Sequence, residues 1–158
     1  MRHGQGVVGK ALLTLGAIGA SLAIPAAPAL SQASGTSVTI TVTEMRNTKG
    51  VVMACMTADP ERFPRCRDDE HSHRATISAD GEIVLHFDNV LPGTYAIALL
   101  HDENENGRSD RALSMIPREG YGFSRDAKVR FGPPDFEDAA FEVGASDIRH
   151  TIRMRYWL

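Results

Sequence analysis

Leu91-Pro92-Gly93-Thr94-Tyr95-Ala96-Ile97-Ala98-Leu99-Leu100 is the stretch that decides how this chain folds. Its first four positions make a turn, proline by presetting φ and glycine by tolerating positive φ. Apolar residues then run from Tyr95 to Leu100 without a polar break. Successive side chains of a strand point to opposite faces, so a strand that is apolar at every position is buried on both. Residues 95–100 are therefore expected as a central strand.

The chain on either side reads as shorter strands and turns. Upstream, Asp80-Gly81 is a two-residue hairpin signal between residues 74–79 and 82–88, where Ile83, Leu85 and Phe87 alternate with Val84 and His86. Further back, Val38, Ile40 and Val42 alternate with Thr39, Thr41 and Thr43, a strand with one wet face. Asn47-Thr48-Lys49-Gly50 is a turn, and residues 51–56 are apolar on both faces, so the two strands are expected to pair as a hairpin. Downstream, Gly120-Tyr121-Gly122-Phe123-Ser124 and Gly132-Pro133-Pro134 bracket an expected weak strand around Val129 and Phe131. Residues 135–140 read as one helical turn and 140–143 as extended. Ile148, His150, Ile152, Met154 and Tyr156 then share one face of a closing strand, opposite Arg149, Thr151, Arg153 and Arg155. No helical period of useful length follows residue 33. About seven short strands divided by turns define an all-β protein, a single antiparallel β-sandwich.

The beginning of the chain has a different grammar. Arg2 and Lys10 precede an uncharged apolar run over residues 11–24, Pro25 breaks it, and small residues lead to Ala33. This is the layout of a secretory signal peptide, expected to be cleaved after residue 33 and to leave residues 34–158 as one domain. The run falls short of the roughly 20 residues that a transmembrane helix needs, and no later run is longer. Export implies a periplasmic or secreted protein. The leader holds two basic residues and no acidic one, so the remainder carries −5 against −3 for the whole chain. That balance argues against nucleic acid or an anionic membrane surface as partner, since both reward a basic patch. Cys55 and Cys66 are the only cysteines, with no CxxC spacing. In an oxidising compartment they are expected to form a structural disulfide, pinning a prolyl loop.

Three blocks resemble one family. Asn89-Val90-Leu91-Pro92-Gly93-Thr94-Tyr95 leading to His101-Asp102-Glu103-Asn104-Glu105-Asn106-Gly107 is the first; Ile116-Pro117-Arg118-Glu119-Gly120-Tyr121-Gly122-Phe123-Ser124 and Phe131-Gly132-Pro133-Pro134-Asp135-Phe136-Glu137-Asp138-Ala139-Ala140-Phe141 are the others. In this order they are similar to a family of small exported bacterial proteins known as domain of unknown function twenty-one forty-one. The resemblance spans residues 38–156 and implies no mechanism. The Leu-Pro-Gly-Thr-Tyr turn also looks like that of transthyretin-like and carboxypeptidase-regulatory sandwiches, so the expected fold is transthyretin-like or immunoglobulin-like, an analogy of fold alone.

The chain's densest polar cluster follows the central strand. Asp102-x-Asn104-x-Asn106-Gly107-x-x-Asp110 fits the opening of an EF-hand-type Ca²⁺ loop: alternate positions turn oxygens inward, glycine permits the bend, and Arg108 would lend its backbone carbonyl. Leu113 stands where the bidentate glutamate belongs, and flanking helices are missing. A Ca²⁺ site would therefore need further carboxylates, with Asp135, Glu137 and Asp138 the nearest rich source. The competing reading is a turn whose Asn, Asp and Gly residues serve the backbone alone. His71-Ser72-His73 could ligate Zn²⁺ or Cu²⁺, or be a solvated loop. Tyr121 and Phe123 could form a ligand surface, or plug one end of the sandwich. Ser72, Ser109, Ser114 and Ser124 lie in no Gly-x-Ser-x-Gly elbow. The expected function is a non-catalytic binding or accessory module of the cell envelope, serving an envelope protein or a small ligand. The alternatives are an envelope hydrolase built on the acidic loop and a copper or zinc carrier.

Overall fold

The computed structural model describes residues 35–66, 68–112 and 116–157. The expected leader and the twelfth loop position, Leu113, lie outside the described residues. Within them the chain is a β-sandwich. One sheet has the order β10-β1-β4, formed by Ile148–Arg153 (β10), Thr36–Thr43 (β1) and Ile83–Val90 (β4). The other has the order β3-β2-β5-β8, formed by His73–Ser78 (β3), Val51–Thr57 (β2), Gly93–Asp102 (β5) and Gly120–Phe123 (β8), with Phe141–Val143 (β9) paired to the start of β5. Arg111–Ala112 (β6) and Ile116–Pro117 (β7) make a separate ribbon. A single helical turn, Phe136–Ala139 (α1), follows residue 135 as the sequence predicts. Seven strands have four residues or more, matching the expected number.

The alternation read from the sequence places the core. Val38, Ile40 and Val42 of β1 and Ile83, Leu85 and Phe87 of β4 face Val52, Ala54 and Met56 of β2 and Tyr95, Ile97 and Leu99 of β5. The other face of β5 is covered too. Ala96 and Ala98 lie beneath Phe123, Phe136, Ala127 and Ala139. Ser124, fully buried, accepts the Ile97 N–H at 2.9 Å and donates to the Ala139 carbonyl at 2.5 Å, stitching β5 to α1. Tyr95 to Leu100 is thus central, for the reason its composition predicts: both faces have something to pack against.

Three expectations about pairing are corrected. β1 and β2 do not form a hairpin; β1 pairs with β4 antiparallel and with β10 in parallel, so one pair departs from an all-antiparallel sandwich. β2, apolar on both faces, takes a place between β3 and β5 that a two-stranded hairpin would not supply. Asp80-Gly81 reverses the chain, with Gly81 at φ +84°, but hands it from one sheet to the other rather than pairing β3 with β4. Residues 128–131 form no strand, and Phe131 is fully exposed. The strand there is β8, in the segment read as a bracket. Its glycines hid it, and they are needed because β8 lies close against the chain of β10 and its extension. A Cβ on Gly120 would stand 2.3 Å from Tyr156 Cε1, and one on Gly122 would stand 2.9 Å from Ile152 Cγ2.

Cys55 and Cys66 are bonded, with Cα atoms 6.1 Å apart. The bridge ties the loop after β2 to that strand. Phe63 from the loop then meets Phe123 and Phe136 edge-on at 5.9 and 6.0 Å, and Thr57 donates to Asp69 at 2.5 Å. That hydroxyl bond is the main cause holding the Asp69 carboxyl below its ordinary range. Replacing both cysteines by alanine is expected to cost about 3 kcal/mol, the loop-closure entropy of a ring this size. A urea midpoint shift showing a loss under about 1 kcal/mol would mean that Phe63 and Asp69 alone hold the loop.

Candidate functional site

β5 ends in two polar residues that point to opposite faces. His101, fully buried, lies on the inner face below Leu99. Its Nε2 donates to the Lys49 carbonyl at 2.7 Å, which leaves Nδ1 to accept from the Tyr156 hydroxyl at 2.8 Å. Burial is the main cause raising the Tyr156 phenol pKa, so the hydroxyl keeps the proton it donates. Arg46 stacks over the Tyr156 ring at 4.6 Å and pairs with Glu103 at 2.6 Å. This cluster anchors the base of the acidic loop to the turn before β2.

Asp102, on the outer face, is 1% exposed. One carboxylate oxygen accepts the Gly107 N–H at 2.7 Å and the other the Asn106 N–H at 3.2 Å. The Asn104 side-chain oxygen also accepts from Asn106 N–H, at 3.2 Å, and the Asn106 side-chain oxygen from Arg108 N–H, at 2.9 Å. The amide groups of Asn104 and Asn106 donate to the Asp110 carboxylate at 2.8 and 3.1 Å. Those two bonds, Asn106 first, hold the Asp110 carboxyl below its usual range. The alternate side chains of the expected loop thus do converge, around Gly107 at φ +72°. The oxygens of Asp102, Asn104 and Asn106 serve backbone amides, and those of Asp110 take the two side-chain amides. Arg108 offers its N–H here, to Asn106.

Glu119 was not singled out from the sequence, and the structure brings it to this loop. β8 pairs with β5 so that Gly120 stands opposite His101. One further step of that register sets Glu119 opposite Asp102, and like charges at such a pair destabilise a sheet. Glu119 is 4% exposed. Its Oε2 accepts the Asp110 N–H at 2.9 Å, while its Oε1 is buried without a hydrogen-bond partner. Burial raises its pKa above the usual carboxylate range; the amides of Asp110 and Glu103 oppose that, and the charges of Asp102 and Asp110 add to it. Only the register could have revealed Glu119, since the chain passes through β6 and β7 before it returns.

The other expected site residues fall elsewhere. Asp135, Glu137 and Asp138 belong to α1 and its N-cap. α1 is stitched to β5 at Ile97, roughly 16 Å along the strand from Asp102 at the usual rise per residue, so they do not complete the loop. Phe123, 6% exposed, is core and not ligand surface, whereas Tyr121 is half-buried on the same face of β8. His73 packs its ring beside Phe87 and Tyr95, and burial lowers its pKa, while His71 is exposed. Among the described residues, no three His, Cys, Asp or Glu side chains form a group that could by itself hold a metal ion. A cation at the loop would have to draw on the side-chain oxygens of Asn104 and Asn106 as well, after their amides turn over.

Residues 40–151 match the family described as an uncharacterized protein conserved in bacteria, domain of unknown function 2141, and the chain belongs to it. No curated protein and no solved structure matches the chain.

Proposed function

We propose that this member of the bacterial family is an exported, non-catalytic binding or accessory module of the cell envelope, and that its loop of residues 102–110, completed by Glu119, takes up Ca²⁺. One observation carries the metal reading: a buried glutamate, met only by the amides of Asp110 and Glu103 and with no donor in hydrogen-bond geometry at Oε1, set beside a second buried carboxylate. An anionic oxygen in that position is costly unless something positive meets it. A hard cation accepts the donor set that the loop can offer, three carboxylates and two side-chain amides. Export is supported by the leader pattern of residues 1–33 and by the Cys55–Cys66 bridge. A non-catalytic role is supported by the divergence of His101 and Asp102 to opposite faces of β5, and by the burial of His101, whose Nδ1 lies 3.9 Å from Glu103 but faces the core. The copper or zinc alternative has less support, because the His73 ring packs against Phe87 and Tyr95.

The test is thermal melting across pH, with chelator and with Ca²⁺. Affinity of the extracellular-module kind is roughly 10⁻⁴ to 10⁻³ M. Ca²⁺ at about 10 mM should then stabilise by about 2 kcal/mol. The pH dependence has a definite sign. The Glu119 pKa is raised on folding, so its contribution to stability is present below its unfolded value and is lost as pH rises through the folded one. In chelator, Glu119→Gln is therefore expected to melt higher than the wild type at neutral pH and to lose the Ca²⁺ response. If Ca²⁺ leaves the wild-type melt unchanged while Glu119→Gln still raises it, a proton satisfies Glu119 and the metal reading fails.

A further inference from the structure

A second feature lies beside β8, where Tyr121 pairs with Arg155. Tyr121, Tyr156 and Trp157 line an open cleft of about 480 Å³, with Lys128, Arg130 and Arg155 at its edge and no carboxylate in its lining. Arg155 lies 3.9 Å from the Asp126 carboxylate, so the positive charge that this edge presents is that of Lys128 and Arg130, in a chain of net charge −3. Its floor is built: Tyr121 and Arg155 exchange both backbone hydrogen bonds, at 3.0 and 2.9 Å. Arg155 is also held in place by the carbonyls of Ala127 and Asp126. Lys128 and Arg130, by contrast, are exposed and make no hydrogen bond or ion pair among the described residues. Trp157 is 52% exposed.

We infer that this cleft binds a segment of an anionic glycan, a chain of sugars carrying carboxylates. The cations supply charge-assisted hydrogen bonds to the carboxylates, and the exposed Trp157 ring offers a flat apolar face against which the C–H face of a sugar ring stacks. The cleft is too open to enclose most of a small molecule's surface, as a small-ligand pocket does; it can accept a polymer lying across it. An added peptide strand is disfavoured at Tyr121, where the main-chain groups that it would need are already joined to Arg155.

Trp157 is the only tryptophan in the chain, so its fluorescence reports on the cleft directly. Titration with oligogalacturonate is expected to give a saturable spectral change that weakens as salt rises, with neutral dextran giving none. Lys128→Gln with Arg130→Gln should weaken binding at least tenfold, with the melting temperature unchanged because both side chains are exposed. Trp157→Ala, followed by calorimetry, should weaken it as well. Absence of a saturable change with oligogalacturonate overturns the inference. So does an equal response to dextran, which would make the cations irrelevant, or an equal response to polyglutamate, which would leave a charge-only site for acidic peptides.

Discussion

Replacing Gly50 by alanine is expected to destabilise the domain by about 2–5 kcal/mol, the sum of a left-handed backbone penalty and an overpacking term. Gly50 sits at φ +68°, in the turn before β2. A Cβ there would stand 2.0 Å from the Asp102 carbonyl oxygen and 2.8 Å from Glu103 Cα. These are backbone atoms of the neighbouring strand and the first loop residue, so no side-chain rotation relieves the clash. The Gly50 carbonyl also accepts the Ala79 N–H at 3.0 Å, which ties the turn to the end of β3 and limits how far it can shift. Gly81 is the control. It has a similar φ, +84°, but nothing within 4 Å of its Cβ position, so Gly81→Ala should cost only about 1–2 kcal/mol. Urea unfolding of the two variants separates conformation from crowding, and equal losses would show that the approach of Gly50 to Asp102 is not limiting. Such a loss at Gly50 would consume a large part of the roughly 5–15 kcal/mol that holds a domain of this size.

His101→Ala is expected to cost about 4 kcal/mol, combining a cavity with a stranded buried acceptor. The Lys49 carbonyl would lose its donor. The Tyr156 hydroxyl would be left to donate to Met45 Sδ at 3.7 Å, a much weaker acceptor. Tyr156→Phe should cost less, about 1–2 kcal/mol, because the imidazole keeps its bond to Lys49. Since both changes delete the same Tyr156–His101 bond, the double variant should lose less than the sum of the singles. A strictly additive cycle would show that this bond contributes nothing to the fold. The loss at His101 should also loosen the acidic loop, because Tyr156, Arg46 and Glu103 connect its base to the turn at residues 45–50.

The acidic loop shows why legibility differs between fold and site. Asp102, Asn104, Asn106 and Asp110 lie within nine residues, so spacing alone brought them together, and the structure places them around one turn. Glu119 reaches the same place through the β5–β8 register, a nonlocal relation that no local spacing encodes. Asp135, Glu137 and Asp138 looked like partners because they are acidic and dense. They are held elsewhere because Phe136 and Ala139, in the same turn, are drawn to the outer face of β5.

Alternation, turns and the apolar run of residues 95–100 were enough to determine the longer strands, their faces and a central strand, though not β8, because side-chain period and φ preference are properties of neighbouring residues. Which strand lies beside which was decided only by the tertiary structure. The turn at residues 47–50 and the turn at Asp80-Gly81 both hand the chain from one sheet to the other. Either turn could equally close a hairpin. The choice depends on where the whole set of apolar faces can be buried at once: β2 between β3 and β5, and β1 between β4 and β10. The glycines of β8 belong to the same category, weak strand formers in isolation and required once Tyr156 and Ile152 stand against them.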